Sequence, residues 1–205
     1  MKKLLFILLF LAAQLLIAQT LKQEDLNVYV ARTHLLFASK VSGLDQVDFR
    51  NTRAVYVEAD GRKGEWQALK RGRGKTENIS RYGVFEGGTE VIFGWKYWLD
   101  ARHIVVDYEW VWMAGSSSQS DIVQVLEWQD GKVWITQQIE ADTHGATGIA
   151  GVRFNPRTKR LTVKAVELDS PNGRCCPTHI NIVAFRWDGG RFRQMRARQV
   201  PMPPQ

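Results

Sequence analysis

Residues 103–113 alternate without a break. Ile104, Val106, Tyr108, Trp110 and Trp112 fall on one side, and His103, Val105, Asp107, Glu109 and Val111 on the other. A period of two sustained over that length fits a half-buried β-strand and no helix. Downstream, Asp130-Gly131 separates two apolar runs and suits a type I′ hairpin turn, whose central residues both need positive φ. With that turn the expected pairs on one face are Trp128 with Val133, Leu126 with Ile135, Gln124 with Gln137 and Ile122 with Ile139. The other face pairs Glu127 with Trp134, Val125 with Thr136 and Val123 with Gln138. Keeping one face mainly apolar is what fixes a strand register.

The same reading places strands at 53–58, 83–86 and 91–98. It adds a hairpin of 149–154 with 161–166 around Asn155-Pro156, and another of 180–187 with 191–197 around Asp188-Gly189-Gly190. Strands recurring every 8–12 residues or so, with turn signals between them, indicate a sandwich or barrel and not βαβ units. The expected fold is therefore all-β and mainly antiparallel, as a single domain over 46–198. Residues 19–45 are ambiguous: Leu26, Val30, Phe37 and Val41 suit a helix, whereas Val28 and Val30 suit a strand. Residues 199–205, with Pro201, Pro203 and Pro204, read as a disordered tail.

Composition closes several routes. At 44% hydrophobic and 24% charged the chain is neither disordered nor fibrous. Two cysteines cannot make a disulfide-dense miniprotein or a four-cysteine zinc module. Met1-Lys2-Lys3, the apolar run from Leu4 to Leu11 and the small residue Ala18 describe a secretory signal peptide over 1–18, with a signal helix and cleavage after Ala18. No cysteine lies at that exit to take a lipid, and no later stretch approaches membrane length. The expected location is secreted or periplasmic.

The adjacent pair in Arg174-Cys175-Cys176-Pro177-Thr178-His179 is the most unusual segment. Neighbouring Cα atoms lie about 3.8 Å apart, whereas a disulfide prefers about 4.4–6.8 Å. A vicinal bridge would be strained and reducible, and it would close almost no loop. Three states stay open: a vicinal disulfide, reduced packed thiols, or a metal site using Cys176 and His179 with help from Cys175 or from a distant His144 or His103. Together with Val47-Asp48-Phe49-Arg50-Asn51 and Phe185-Arg186-Trp187-Asp188-Gly189-Gly190-Arg191-Phe192, this segment resembles a widespread set of exported bacterial β-domain proteins. These carry a C-terminal Cys-Cys-Pro segment and an aromatic-Arg-Trp-x-Gly hairpin. The resemblance implies an exported single β-domain and transfers no activity. Some members carry an Asp/Gly-rich, cation-binding-like loop; the corresponding residues 97–102 here keep one acid, Asp100.

Other constellations are weaker. Gly74-Lys75-Thr76 lacks the first glycine of a phosphate-binding loop, Leu69 standing in its place. Ser116-Ser117-Ser118 lacks a nucleophile elbow. Asp142-Thr143-His144 offers an acid beside an imidazole but no placed nucleophile. Glu127 with Glu140, or Asp107 with Glu109, could be read as paired glycosidase carboxylates. Two basic groups stand out: Arg62, Lys63, Lys70, Arg71, Arg73, Lys75 and Arg81, interleaved with Gly61, Gly64, Gly72 and Gly74 as in a mobile loop; and Arg186, Arg191, Arg193, Arg196 and Arg198. Trp110, Trp112 and Trp128 belong on core faces. Trp134 falls on the other face, so it is either covered by a second sheet or free for recognition.

The reading is an exported, non-enzymatic binding or envelope-associated β-module. It has no cofactor, no nucleic-acid partner and no membrane span once the leader is removed. Trp134, Arg71, Arg73 and Lys75 are the expected ligand surface, for an anionic envelope polymer or glycan. The alternatives are a redox-active or metal-binding protein built on Cys175, Cys176 and His179, and a glycan-binding or glycan-cleaving protein.

Overall fold

The computed structural model describes residues 26–83, 85–114, 116–143, 149–167 and 178–202. The expected leader over 1–18, His144, Cys175 and Cys176 lie outside the described residues. The strands are β1 (Val28–Ser39), β2 (Arg53–Val57), β3 (Lys63–Ala68), β4 (Arg73–Ile79), β5 (Phe85–Trp98), β6 (His103–Ala114), β7 (Ser116–Gln129), β8 (Lys132–Asp142), β9 (Gly151–Asn155), β10 (Arg160–Val166), β11 (His179–Trp187) and β12 (Phe192–Pro201). They form a six-stranded sheet in the order β1-β8-β7-β6-β5-β4, a four-stranded sheet β12-β11-β10-β9, and the hairpin β2-β3. Every pairing among them is antiparallel. The chain is all-β, as its alternation requires. Among the described residues no helix is long and apolar enough to cross a membrane.

The central sheet is buried on both faces. Ile104, Val106, Tyr108, Trp110, Ile122 and Leu126 pack under the β2-β3 hairpin, against Ala54, Val55 and Val57. Trp112 and Trp128 join this cluster at its margin. On the opposite face Val105, Val123, Val125, Ile139 and Ala141 pack against Leu161, Val163, Ala165, Val183, Phe185 and Trp187 of the four-stranded sheet.

The Asp130-Gly131 hairpin has its expected register only next to the turn. Trp128 faces Val133, Glu127 faces Trp134 and Leu126 faces Ile135. A bulge then inserts Thr136, so that Val125 faces Gln137, Gln124 faces Gln138, Val123 faces Ile139 and Ile122 faces Glu140. One extra residue reverses the facing of all that follows. Its product is a pair of glutamines aimed at opposite layers. The buried Gln138 accepts the Val57 N–H at 3.1 Å and donates to the Val57 carbonyl at 2.9 Å. Gln124 donates to the Val55 carbonyl at 2.6 Å and to Gln138 at 2.8 Å. On the other side Gln137 accepts the Phe192 N–H at 2.8 Å and donates to the Phe192 carbonyl at 3.0 Å. These side-chain amides act as short pieces of β-ladder, satisfying backbone that docks face-on.

A second fastening fixes the end of the four-stranded sheet. Asp100 accepts the backbone N–H groups of Arg102 and His103 at 2.9 and 3.0 Å, the His103 ring at 2.7 Å, and the Trp187 indole N–H at 3.2 Å. The acid retained in the 97–102 loop thus ties Trp187 to the central sheet.

Four expectations change. Residues 28–39 are a strand, completing the sheet beside β8. Much of the glycine-spaced basic segment is strand and not a mobile loop: Lys63 and Gly64 belong to β3, Arg73, Gly74 and Lys75 to β4, and a side chain at Gly74 would run into the Ala68 carbonyl and the Gln67 side chain. The separate strands expected at 83–86 and 91–98 are joined in one continuous β5 that begins at Phe85. Gln199, Val200 and Pro201 belong to β12 and pair with Asn181, Ile180 and His179, so the tail begins later than 199.

Replacing Gln138 with leucine orphans both Val57 backbone groups and removes the Gln124 contact. At about 1–3 kcal/mol for each buried group left unpaired, the expected loss is about 3 kcal/mol or more, read as a lower urea midpoint.

Candidate functional site

Cross-strand register decides which side chains of the four-stranded sheet leave the core. Leu161, Val163 and Ala165 of β10 point inward, so Arg160, Thr162 and Lys164 point outward, while Val166 at the strand end is buried. Pairing carries this phase across the sheet. Arg160 faces Arg186, which faces Arg193. Thr162 faces Arg153 on one side and Ala184 on the other, and Ala184 faces Arg196. Lys164 faces Gly151 and Ile182, and Ile182 faces Arg198. The outer face therefore carries Arg153, Arg160, Lys164, Arg186, Arg193, Arg196 and Arg198, with no acidic residue among its described positions.

A bulge in β12 is essential to this array. Ala184 faces Arg196 while Phe185 faces Gln194, leaving Met195 as the extra residue. Arg193 and Arg196 are three apart and would point to opposite faces of a regular strand; the bulge turns both outward. Rows lie about 4.8 Å apart between strands and about 6.7 Å apart along them, so the cations form a lattice. Like charges placed directly opposite, as in Arg160-Arg186-Arg193, oppose pairing. Among these seven, the ion pairs of the described residues reach only Arg193, which meets Asp188. The Arg193 hydrogen bond, with the Arg191 and Gly190 backbone N–H groups, holds the Asp188 carboxyl down at about 2.

The surface expected from the sequence does not assemble. Arg73 and Lys75 lie on the edge strand β4, and Arg71 in the turn before it, at φ 56°, with its N–H bonded to Asn51 Oδ1 at 2.9 Å. Lys75 is neutralised by Glu77 at 2.5 Å, and Arg62 by Asp60 at 2.6 Å. Trp134 lies four strands from β4, half-buried and stacked on His34 with ring centroids 4.1 Å apart. The covering of its face by the second sheet reaches Val123 and Val125 and leaves Trp134 at the margin.

His179 is engaged by Glu167 Oε2 at 3.1 Å and by the Thr178 hydroxyl at 2.9 Å. Its thiol neighbours lie outside the described residues. Among the described residues no three His, Cys, Asp or Glu side chains are grouped to hold a metal ion. Glu127 and Glu140 are not a pair, because the Thr136 bulge turns Glu140 toward the hairpin. There it accepts Tyr56 OH at 2.8 Å and Ser120 Oγ at 3.0 Å.

Asp107 and Glu109 do share a face, and Asp121 stands directly opposite Glu109. Burial, reinforced by Asp121 and Glu109, pushes the Asp107 carboxyl well above the usual carboxylate range, and Asp107 Oδ1 has no hydrogen-bond partner among the described residues. Burial and Glu109 raise Asp121 to about 6, against the opposing hydrogen bond from Val152 N–H. Asp121 is the link to the cationic face. With Gly151, Arg153, Thr162 and Lys164 it lines a cleft of about 220 Å³ at the β9 edge.

Sequence reasoning found Arg186, Arg193, Arg196 and Arg198 and missed Arg153, Arg160 and Lys164. Their signal was available as the positions out of phase with Leu161, Val163 and Ala165. No family model matches the chain, and neither the curated proteins nor the solved structures yield a similar protein.

Raised carboxyl affinities mean that protons favour the folded state. The Asp107–Asp121 contribution is fullest below about pH 4 and is lost as pH rises through about 6 and beyond. Asp107→Asn is therefore expected to be more stable than wild type at about pH 7.5, with the difference shrinking toward about pH 4.5, in urea titrations at the two values.

Proposed function

We propose that the chain is an exported, non-enzymatic β-module that holds an anionic envelope polymer against the outer face of its four-stranded sheet. The observation carrying this reading is the cation lattice of the outer face, aligned as Arg160, Arg186 and Arg193, in which among the described residues only Arg193 meets an acid, Asp188. A protein that needed charge for solubility alone would gain nothing from aligning like charges across three strands, whereas a bound polyanion relieves their repulsion. The leader over 1–18 and the resemblance to exported β-domain proteins support a location where such polymers occur.

The test is equilibrium binding of the purified protein to an anionic polysaccharide and to a neutral one of the same length. Binding to the anionic polymer alone is expected, weakening about tenfold or more between about 50 mM and about 300 mM salt. The Arg160→Ala/Arg186→Ala double variant is expected to lose about tenfold or more in affinity, and Arg73→Ala/Lys75→Ala to bind like wild type. Salt-independent binding, or equal losses in the two double variants, would overturn the assignment.

A further inference from the structure

The cleft at the β9 edge differs from the rest of the cationic face in containing a carboxylate. Asp121 comes from the central sheet, yet it lines the same recess as Arg153, Thr162 and Lys164 of the outer face. It reaches that position because of Gly151, which has φ 128° and where a Cβ would lie 2.8 Å from Asp121 Oδ2. The next residue holds the carboxylate in place, Val152 N–H donating to Oδ2 at 3.1 Å. Asp121 Oδ1 makes no hydrogen bond among the described residues.

The chemistry of this recess discriminates between classes of polyanion. A bare polyphosphate presents acceptor oxygens at every charged unit and no hydroxyl donors, so a carboxylate in its path repels it. A sugar acid presents two kinds of group on one ring. Its carboxylate suits Lys164 and Arg153, and its hydroxyls can donate to Asp121 while exchanging hydrogen bonds with Thr162. The volume of the recess suits one sugar residue more closely than a length of chain.

Resting on the polyanion reading above, we infer that the ligand is a carboxylated glycan, a polyuronate type of chain, and that one of its sugar residues is read in the cleft by Asp121, Thr162, Lys164 and Arg153. The lattice of arginines then holds the neighbouring acidic units, supplying affinity with little selectivity. The cleft supplies the choice of polymer.

The experiment compares polygalacturonate with polyphosphate of matched charge number at one ionic strength, on wild type, Asp121→Asn and Thr162→Val. Wild type is expected to prefer polygalacturonate by about tenfold. Asp121→Asn removes the repelling charge and weakens the acceptor, so polyphosphate should bind more tightly and polygalacturonate less, cancelling most of that preference. Thr162→Val alters an outward-facing hydroxyl away from the core, and it should lower polygalacturonate affinity while leaving polyphosphate unchanged; it keeps the test decisive if Asp121→Asn unfolds. Equal binding of the two polymers by wild type, with both lost in Arg160→Ala/Arg186→Ala, would sink the sugar reading and leave the polyanion reading standing. Unchanged selectivity in both cleft variants would also sink it. Binding of neither polymer would overturn both readings together.

Discussion

The molecule depends on hydrogen bonds made by two consecutive glutamine side chains. A β-sheet meets a second layer through apolar side chains, and backbone groups that end up facing a sheet have no ladder to join. Gln137 and Gln138 supply one on each side. Gln138 completes the backbone of Val57 in the covering hairpin, and Gln137 completes that of Phe192 at the start of β12. Neither could do so without the Thr136 bulge, since in a regular strand Gln138 would point toward the four-stranded sheet. The bulge therefore sets the position of both outer layers, and through Phe192 it fixes where the arginine-bearing strand begins.

Charge follows the layers. Between the sheets lie Asp107, Glu109 and Asp121, where burial and the neighbouring carboxylates raise the affinity of Asp107 and Asp121 for protons. One layer outward, the exposed face carries arginines in register. Each arrangement is unfavourable alone, and the apolar contacts between the sheets, from Val105 and Val123 to Phe185 and Trp187, offset both. Tension of this kind concentrates where binding is selected above stability.

Much of the architecture was legible because a period of two is hard to imitate. The strand at 103–113, the Asp-Gly turn and the C-terminal hairpins all followed from it. Register was legible as far as Leu126 and Ile135 and no further, because Thr136 carries no bulge signal of its own: threonine fits an ordinary strand equally well. Glycine misled in the opposite direction. Gly64 and Gly74 suggested mobility, but Gly74 is small because the hairpin crosses close to β4. The candidate site was half legible. Arg186, Arg193, Arg196 and Arg198 are near one another in sequence, whereas Arg153, Arg160 and Lys164 join them only through pairing between strands. Trp134 drew attention for its size, and its stacking with His34 at the opposite end of the sheet from β4 separates it from the lysine and arginines once grouped with it.

The extra residue at Met195 has a consequence for how such a surface can vary. Straightening the bulge with Met195 kept would leave the composition of basic residues untouched and yet make Arg193 and Phe192 exchange sides relative to Arg196 and Arg198, whereas deleting Met195 would leave Arg193, Arg196 and Arg198 at alternate positions on one face. The surface potential of this protein thus depends on strand phase as well as on the number of its cations, and one residue more between Arg196 and Arg198 would divide the β12 row where a charge substitution would only dilute it.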